Sequence, residues 1–144
     1  MNHFLSQQTA TQALRAQWHW PNFTIAELAC RCEGRFCQGA YWHDPLFLDA
    51  LQALRDQIGR ALIVTSGHRC PLWNATVGGA PLSQHKTLAV DLSLAGQDRW
   101  QLMERARRVG FTGFGLGRTF LHLDRRTQSA EWKYPGSEHV WMRS

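Results

Sequence analysis

The stretch DPLFLDALQALRDQIGRALIVTSG, residues 44–67, decides the fold class because it joins a well-marked helix to a buried strand. Asp44 is a favourable N-cap, the proline after it suits the first helical position, and Gly59 supplies a C-terminal stop. Apolar side chains recur at helical spacing between these ends, which predicts an amphipathic helix over 44–59. The β-branched run ALIVTS at 61–66 predicts a buried strand directly after it.

Strands and helices continue to alternate downstream of this unit. LAVDLSL (88–94) alternates polar and apolar residues and predicts a strand whose polar face carries Asp91. DRWQLMERARRV (98–109) predicts a second helix, ended by a glycine. TGFGLG (112–117) and TFLHLDRR (119–126) predict two short strands around a tight turn. On the last strand the phenylalanine, histidine and aspartate share one face.

The N-terminal part of the chain contributes shorter elements. SQQTATQALRAQW (6–18) predicts a helix, and TIAE (24–27) has the form of a capping box that opens a helical turn. A cysteine-bearing loop extends to about residue 43, and residues 71–85 are predicted to be an irregular loop. Because the elements lack a regular strand–helix–strand repeat, we predict an α+β fold with a small, mainly antiparallel sheet and flanking helices.

Length and composition fit one soluble globular domain over residues 1–144. Hydrophobic residues make up 44% of the chain, which argues against disorder, and no apolar run is long enough to span a bilayer. The N-terminus shows no secretion-signal pattern, so we expect synthesis in the cytoplasm. The net charge of +5 fits an anionic partner or simply a solvated surface. No nucleic-acid-binding motif surrounds the basic residues, and we expect a monomer that binds no nucleic acid.

The four cysteines form a second feature of interest. Cys30, Cys32 and Cys37 lie together in CRCEGRFC, and Cys70 follows in SGHRC. Disulfide pairing, a structural zinc site and buried free thiols all fit this arrangement. The C-x-C-x4-C pattern lacks the C-x2-C knuckle common in structural zinc sites, which disfavours zinc among the three interpretations.

His85, Asp91 and His122 are the polar residues that together suggest a catalytic site. Two histidines and a carboxylate leave one position on a tetrahedral zinc ion open to a water molecule, whose pKa the metal lowers. Spacing alone is weak support, because the chain contains seven histidines and chance pairs are expected. A surface histidine without a metal is the more common outcome.

Several motifs in order resemble those of a known peptidase family. NFTIAELACRC, SGHRC, NATVGGA, SQHKTLAVD and FLHLD resemble, in this order, the zinc D-alanyl-D-alanine carboxypeptidase and murein endopeptidase family, of peptidase M15 type. That family includes phage endolysins and is related in fold to VanX-type dipeptidases and the hedgehog signalling domain. The resemblance covers about residues 22–132, and it implies a hedgehog/D-Ala-D-Ala peptidase-like fold.

The resemblance implies that His85, Asp91 and His122 bind one catalytic Zn²⁺ ion. Arg69 occupies the arginine position of the family's S-G-Y-R motif, where a guanidinium can bind the terminal carboxylate of a substrate. A structural salt bridge is the alternative role for Arg69. His68 replaces the tyrosine of that motif, and it either donates to the tetrahedral intermediate or fills the space of the missing ring.

Neighbouring residues are predicted to support these groups. Ser83 is expected to brace the loop that carries His85, and Gln84 or Ser93 could donate hydrogen bonds to the ligands. Trp132 resembles a tryptophan that follows the last ligand strand in relatives, and we expect it to pack rather than react.

Two features depart from the family pattern. Relatives usually place the aspartate ligand seven positions after the first histidine, in H-x-x-G-x-A-x-D, whereas HKTLAVD (85–91) gives six and no glycine. We place the missing residue in the turn between His85 and Leu88 and keep both ligands. The second departure concerns the general base, because Thr119 and Phe120 stand where many relatives carry an acid or a histidine.

Asp124, on the same strand face as His122, is the substitute that we predict as general base. Orientation of His122, or an ion pair with Arg125 or Arg126, is the alternative role for this aspartate. Weaker candidates for the base lie in the C-terminal tail: Glu131, Glu138 and His139.

The resemblance therefore implies a zinc metallopeptidase that cleaves peptidoglycan stem peptides or cross-links, as a D,D-carboxypeptidase or endopeptidase. Such an enzyme would reach the cell wall during lysis or remodelling, as phage lysis proteins do. The alternative is a non-catalytic, zinc-containing, hedgehog-like binding module, which the missing acid before His122 favours. A small cysteine-rich zinc module that contacts nucleic acid is a further alternative, permitted by the basic composition but supported by no motif.

Overall fold

A five-stranded sheet organises the protein in the computed structural model, which describes residues 2–142. The strands are β1 (His3–Phe4), β2 (Tyr41–Trp42), β3 (Val64–Ser66), β4 (Val90–Ser93), β5 (Gly113–Leu116), β6 (Phe120–Asp124) and β7 (Ala130–Lys133). The main sheet has the order β3-β4-β6-β5-β7, and β1 pairs with β2 in a separate two-stranded sheet. All neighbouring strands are antiparallel except β5 and β7, so the predicted α+β class with a mainly antiparallel sheet is confirmed.

Five α-helices accompany the sheet in the described part of the chain. They are α1 (Gln7–Leu14), α2 (Ile25–Leu28), α3 (Pro45–Ile58), α4 (Pro71–Thr76) and α5 (Arg99–Arg108). The Asp44 carboxylate caps α3 by accepting from the Phe47 amide at 3.2 Å, and Gly59 ends the helix with a φ of 74°. Both ends were predicted from the sequence, because a short polar N-cap and a left-handed glycine are strong local signals.

The apolar core lies on one face of the main sheet. Leu51 and Leu54 of α3, Leu102 of α5, and Leu121 and Leu123 of β6 are fully buried members of one cluster. Because side chains alternate along a strand, the residues between these leucines point to the opposite face. The core therefore fixes which polar side chains of β4 and β6 share the other face.

The register of the central strands places the predicted ligands side by side. Asp91 of β4 is paired with His122 of β6, and Gly115 of β5 lies on the other side of His122. Asp124 is paired with Gly113, the first residue of β5. Glycines at these two positions leave room for the polar side chains of β6, since a Cβ atom at Gly113 would collide with the Asp124 carboxylate.

Several elements differ from the sequence prediction. The strand predicted over 61–66 begins only at Val64, and the register shifts between Val64 and Ser66. The loop predicted over 71–85 contains α4, which Cys70 caps by accepting from the Trp73 amide. Strands β1, β2 and β7 were not predicted, because they are short or lack a run of buried apolar residues. None of the helices over residues 2–142 is long and apolar enough to cross a membrane.

Candidate metal centre and substrate cavity

Three buried side chains from three elements meet on the polar face of the sheet. His85 lies in a short 3-10 turn, Gln84–Lys86, while Asp91 and His122 come from the paired strands β4 and β6. His85 and His122 are each 2% exposed and Asp91 is 9% exposed. The structure thus brings together the three residues that the sequence predicted as ligands.

The three inward-facing atoms form a compact triangle. His85 Nε2 lies 3.0 Å from Asp91 Oδ1, and His122 Nδ1 lies 3.1 Å from both atoms. Ligand atoms on a tetrahedral zinc ion, with bonds of about 2.0–2.1 Å, are separated by about 3.3 Å. The triangle is therefore close to the size that such an ion requires, and the group could hold a metal ion.

The outer nitrogen of each histidine ring fixes which nitrogen can bind a metal. His85 Nδ1 donates to the Gly67 carbonyl oxygen at 2.7 Å, and His122 Nε2 donates to Asp124 Oδ2 at 2.7 Å. In a neutral imidazole the inner nitrogen then carries a lone pair. Two nitrogen lone pairs and one carboxylate oxygen thus face each other, an arrangement that a cation between them satisfies. This donor set fits zinc.

The pKa values within the triad, which consists of His85, Asp91 and His122, also favour a cation at its centre. Burial lowers the pKa of His122, but hydrogen bonds with Asp124 and Asp91 outweigh it and raise this pKa above its usual value. Burial raises the pKa of Asp91, but its hydrogen bonds with the two histidines outweigh that effect and hold the pKa below its usual range. The site therefore favours positive charge at its centre, so a proton and a metal ion compete for the same place.

Asp124 is fully buried behind His122 and is paired with Arg126. Its Oδ2 accepts from His122 Nε2 and from Arg126 Nη2 at 2.6 Å, and its Oδ1 accepts from Arg126 Nε at 2.9 Å. The sequence predicted Asp124 as the general base, with orientation of His122 or an ion pair with Arg126 as the alternative. The geometry favours the alternative, because both carboxylate oxygens are engaged and Asp124 does not line the cavity.

The short turn between His85 and Asp91 still lets both side chains meet. Ser83 Oγ accepts from the His85 amide at 3.1 Å, which is the bracing contact predicted for Ser83. The His85 carbonyl accepts from the Arg69 amide at 2.6 Å, so the turn is also tied to the segment after β3. The outer partners of the ligand histidines are Gly67 and Asp124, and not Gln84 or Ser93, whose predicted donor role the hydrogen bonds do not support.

A cavity of about 610 Å³ opens onto the triad. Its walls come from the loop after α4, from β6, and from β7 with the residue that follows it. The lining residues that carry polar or aromatic groups are Arg69, Ser83, Gln84, His85, Asp91, Phe120, His122, Arg126, Trp132 and Tyr134. A cavity of this size can hold a short peptide segment beside the metal centre.

Arg69 is held in this wall by a buried asparagine. Arg69 Nη1 donates to Asn74 Oδ1 at 3.3 Å, Nε donates to Ser66 Oγ at 3.3 Å, and Nη2 lies 3.6 Å from Asp91 Oδ2. Asn74 in turn donates to the Ala80 carbonyl at 2.9 Å, and its carboxamide fills the space where a Cβ atom at Gly79 would stand. The NATVGGA motif therefore positions the guanidinium, and both roles predicted for Arg69 remain compatible with its contacts.

Two cavity residues were not predicted as site residues. Tyr134 follows β7, and the guanidinium of Arg126 lies 4.5 Å from the centre of the Trp132 ring on the same wall. Trp132 also packs against His122 with ring centres 5.3 Å apart, in agreement with its predicted packing role. Tyr134 has no recognisable signal in the sequence, because β7 is a partly exposed edge strand with no clear apolar pattern.

The remaining predicted candidates lie away from the cavity. His68 is 2% exposed, donates through Nδ1 to the Thr87 carbonyl at 2.7 Å, and packs against His3 and Trp42. This placement favours the space-filling role over donation to an intermediate. Glu131 forms an ion pair with Arg107. Neither Glu131 nor the tail residues Glu138 and His139 line the cavity.

Comparison with known proteins identifies the family. The sequence profile described as Peptidase M15 matches residues 21–124, which is most of the chain and includes the three candidate metal ligands, Arg69 and Asp124. The chain belongs to the peptidase M15 family. M15 peptidases are zinc-dependent metallopeptidases, in agreement with the donor set of the triad. Comparison with curated proteins gave no match. Within this M15 peptidase, the cavity residues Arg126, Trp132 and Tyr134 lie beyond the matched segment.

Proposed function

We propose that this M15 peptidase hydrolyses peptide bonds next to D-amino acids in the stem peptides or cross-links of peptidoglycan, using one zinc ion held by His85, Asp91 and His122. The observation that carries the proposal is the convergence of three lone-pair donors, 3.0–3.1 Å apart, at the end of a peptide-sized cavity. Such an activity would serve cell-wall lysis or remodelling.

The bound zinc ion would polarise the scissile carbonyl and make a water molecule acidic enough to attack it near neutral pH. The protein prepares this chemistry through its own contacts. Gly67 and Asp124 keep the outer protons on His85 and His122, so that both inner nitrogens remain free to bind the metal.

Arg69 is the residue that we propose to bind the substrate's carboxylate. Its guanidinium lines the cavity, its side chain is 16% exposed, and Asn74 and Ser66 hold it in place. A planar guanidinium binds a carboxylate through two parallel hydrogen bonds. Arg126 lines the same cavity, and its charge is balanced by Asp124.

A non-catalytic zinc module is the second candidate, and one observation favours it. Among the described residues that line the cavity, Asp91 is the only carboxylate, and it belongs to the metal triad. A second carboxylate in the position of a general base would have favoured turnover. The two candidates differ in whether the zinc-loaded protein cleaves a peptide bond.

Digestion of purified peptidoglycan separates these candidates. We expect the wild-type protein to release new muropeptides, chelator treatment to stop the release, and added zinc to restore it. His122→Ala should abolish cleavage, while His139→Ala, a matched change at an exposed histidine outside the cavity, should not. Release of a terminal amino acid would identify a carboxypeptidase, and loss of cross-linked dimers would identify an endopeptidase.

Two results would contradict the proposal. Zinc bound at the triad without any chelator-sensitive cleavage would support the binding module instead. Full activity in His122→Ala would show that the triad is not the active site.

A further inference from the structure

The four cysteines, which the proposed peptidase site does not use, converge at one place. Cys30 and Cys32 follow α2, Cys37 precedes β2, and Cys70 caps α4. Their four Sγ atoms lie within 4.8 Å of one another, and none is in a disulfide. Tetrahedral zinc with Zn–S bonds of about 2.3 Å places its sulfur ligands about 3.8 Å apart. The cluster is therefore near the size of a four-thiolate metal site.

Each sulfur in this cysteine cluster accepts a hydrogen bond from a backbone amide. The donors are Cys70 N to Cys30 Sγ at 3.3 Å, Cys37 N to Cys32 Sγ at 3.3 Å, Ala40 N to Cys37 Sγ at 3.4 Å and Trp73 N to Cys70 Sγ at 3.4 Å. Amide donors aimed at sulfur stabilise the thiolate form. Four thiolates so close together repel one another unless a cation lies between them. Amide hydrogen bonds of this kind also orient the ligands of metal sites.

The segment 31–39, which carries Cys32 and Cys37, is irregular. It is tied to the rest of the fold at Gln38, which accepts from the Gln7 amide, and at Arg31, which donates to the Val64 carbonyl. Residues 31–39 contain no helix or strand of the described elements, and Glu33 adopts a left-handed φ of 57°. Among the described apolar side chains, Ala40 and Trp73 pack with the cysteine cluster, which is separate from the main core. Because few apolar side chains are buried in this cluster, bonds from the sulfurs to a metal ion would supply a constraint on this segment that apolar packing does not.

We propose that Cys30, Cys32, Cys37 and Cys70 bind one structural zinc ion, separate from the ion of the peptidase site. Four protein ligands leave no open position, which is typical of structural rather than catalytic zinc. Because Cys70 follows Arg69 directly, the ion fastens residues 31–39 to the start of α4 and to the wall of the cavity. The absence of a C-x2-C knuckle disfavoured this site in the sequence, but the fold brings Cys70, the N-cap of α4, together with the three cysteines of the preceding loop.

Zinc release during thiol titration tests this site directly. The His122→Ala protein, purified without added metal under reducing conditions, removes the contribution of the triad. A zinc-sensitive dye should report one ion released as a mercurial reagent blocks the four thiols, and elemental analysis should find one zinc per chain before the titration. The thiols should react slowly in the native protein until a strong chelator is added.

Serine substitutions supply the matched comparison. Cys37→Ser, at the most exposed of the four positions, should lose one zinc equivalent from the wild-type total and should lower the thermal unfolding midpoint. Zinc binding at the triad should persist in this variant, so loss of the cysteine site and failure of the peptidase proposal remain distinguishable. Four thiols that react at once in native His122→Ala, a mass showing disulfide bonds, or iron in place of zinc would overturn the proposal.

Discussion

Replacing Asp124 with asparagine distinguishes a positioning role for this carboxylate from a role as general base. Asp124 is fully buried and accepts from His122 Nε2 and from the Arg126 guanidinium. The substitution keeps the side-chain shape but removes a negative charge. That charge balances Arg126, and it also makes His122 Nδ1 a stronger metal ligand. We expect the variant to fold, to lose stability and to bind zinc more weakly at the triad.

The size of each effect follows from these contacts. Removing one partner of a buried ion pair costs about 3–5 kcal/mol when the other charge stays buried. The Arg126 side chain is 28% exposed and can turn toward water, so we expect the free energy of unfolding to fall by about 2–3 kcal/mol. Loss of the carboxylate that orients a metal-binding histidine typically weakens metal affinity about 10- to 100-fold.

Two assays read out these effects separately. Urea unfolding of the chelator-treated protein gives the stability loss, and competition with a zinc dye of known affinity gives the change in zinc binding. Asp56→Asn, a matched change at an exposed aspartate that accepts a hydrogen bond from Gln52, should change neither quantity. Unchanged stability and zinc affinity in Asp124→Asn, together with lost turnover, would refute the positioning role and support the general base.

Three further predictions follow from the same contacts. Gly113→Ala should lower the free energy of unfolding in urea by about 1–3 kcal/mol, because the new methyl group collides with the Asp124 carboxylate. An unchanged urea midpoint would contradict this packing. Burial lowers the pKa of His68 to about 4, so the unfolded chain takes up a proton before the native state does as the pH falls from about 6.5 to 4. The free energy of unfolding of the chelator-treated wild type should thus fall by up to ~3 kcal/mol over this pH window, and that of His68→Phe should fall less. The same dependence of unfolding free energy on pH in both proteins would contradict a neutral buried His68 ring. Arg69→Lys should raise KM for substrates with a free terminal carboxylate about 10-fold or more, while its zinc content stays constant. Arg118→Lys, a matched change at an exposed site, should leave KM unchanged. Equal KM values in the two variants would leave Arg69 with a structural role.

Local signals in the sequence were sufficient for much of the fold. The helix α3 was predictable at both ends because Asp44 and Gly59 act through their own backbone neighbours. The alternation along β4 and β6 was sufficient to assign Asp91 and His122 to polar faces. The identity of the ligand set came from the ordered motifs, since spacing alone did not separate ligands from chance pairs.

What could not be predicted depends on contacts between distant segments. Nothing local shows that Asp91 is directly opposite His122, because strand register is set by the whole sheet. Tyr134 enters the cavity through the parallel pairing of β7 with β5, which has no local signature in a partly exposed edge strand. The choice between the two roles predicted for Asp124 could not be made from the sequence for a related reason, since its burial and its engagement by Arg126 are visible only in the folded chain.

We expect His85, Asp91 and His122 to bind zinc through their inward-facing atoms, and anomalous diffraction at the zinc absorption edge tests this most directly. For crystals of the zinc-loaded protein, we predict an anomalous peak bonded to His85 Nε2, Asp91 Oδ1 and His122 Nδ1, at about 2.0–2.2 Å from each. The absence of a peak among these three side chains, or a peak bonded to His122 through Nε2, would contradict the assignment.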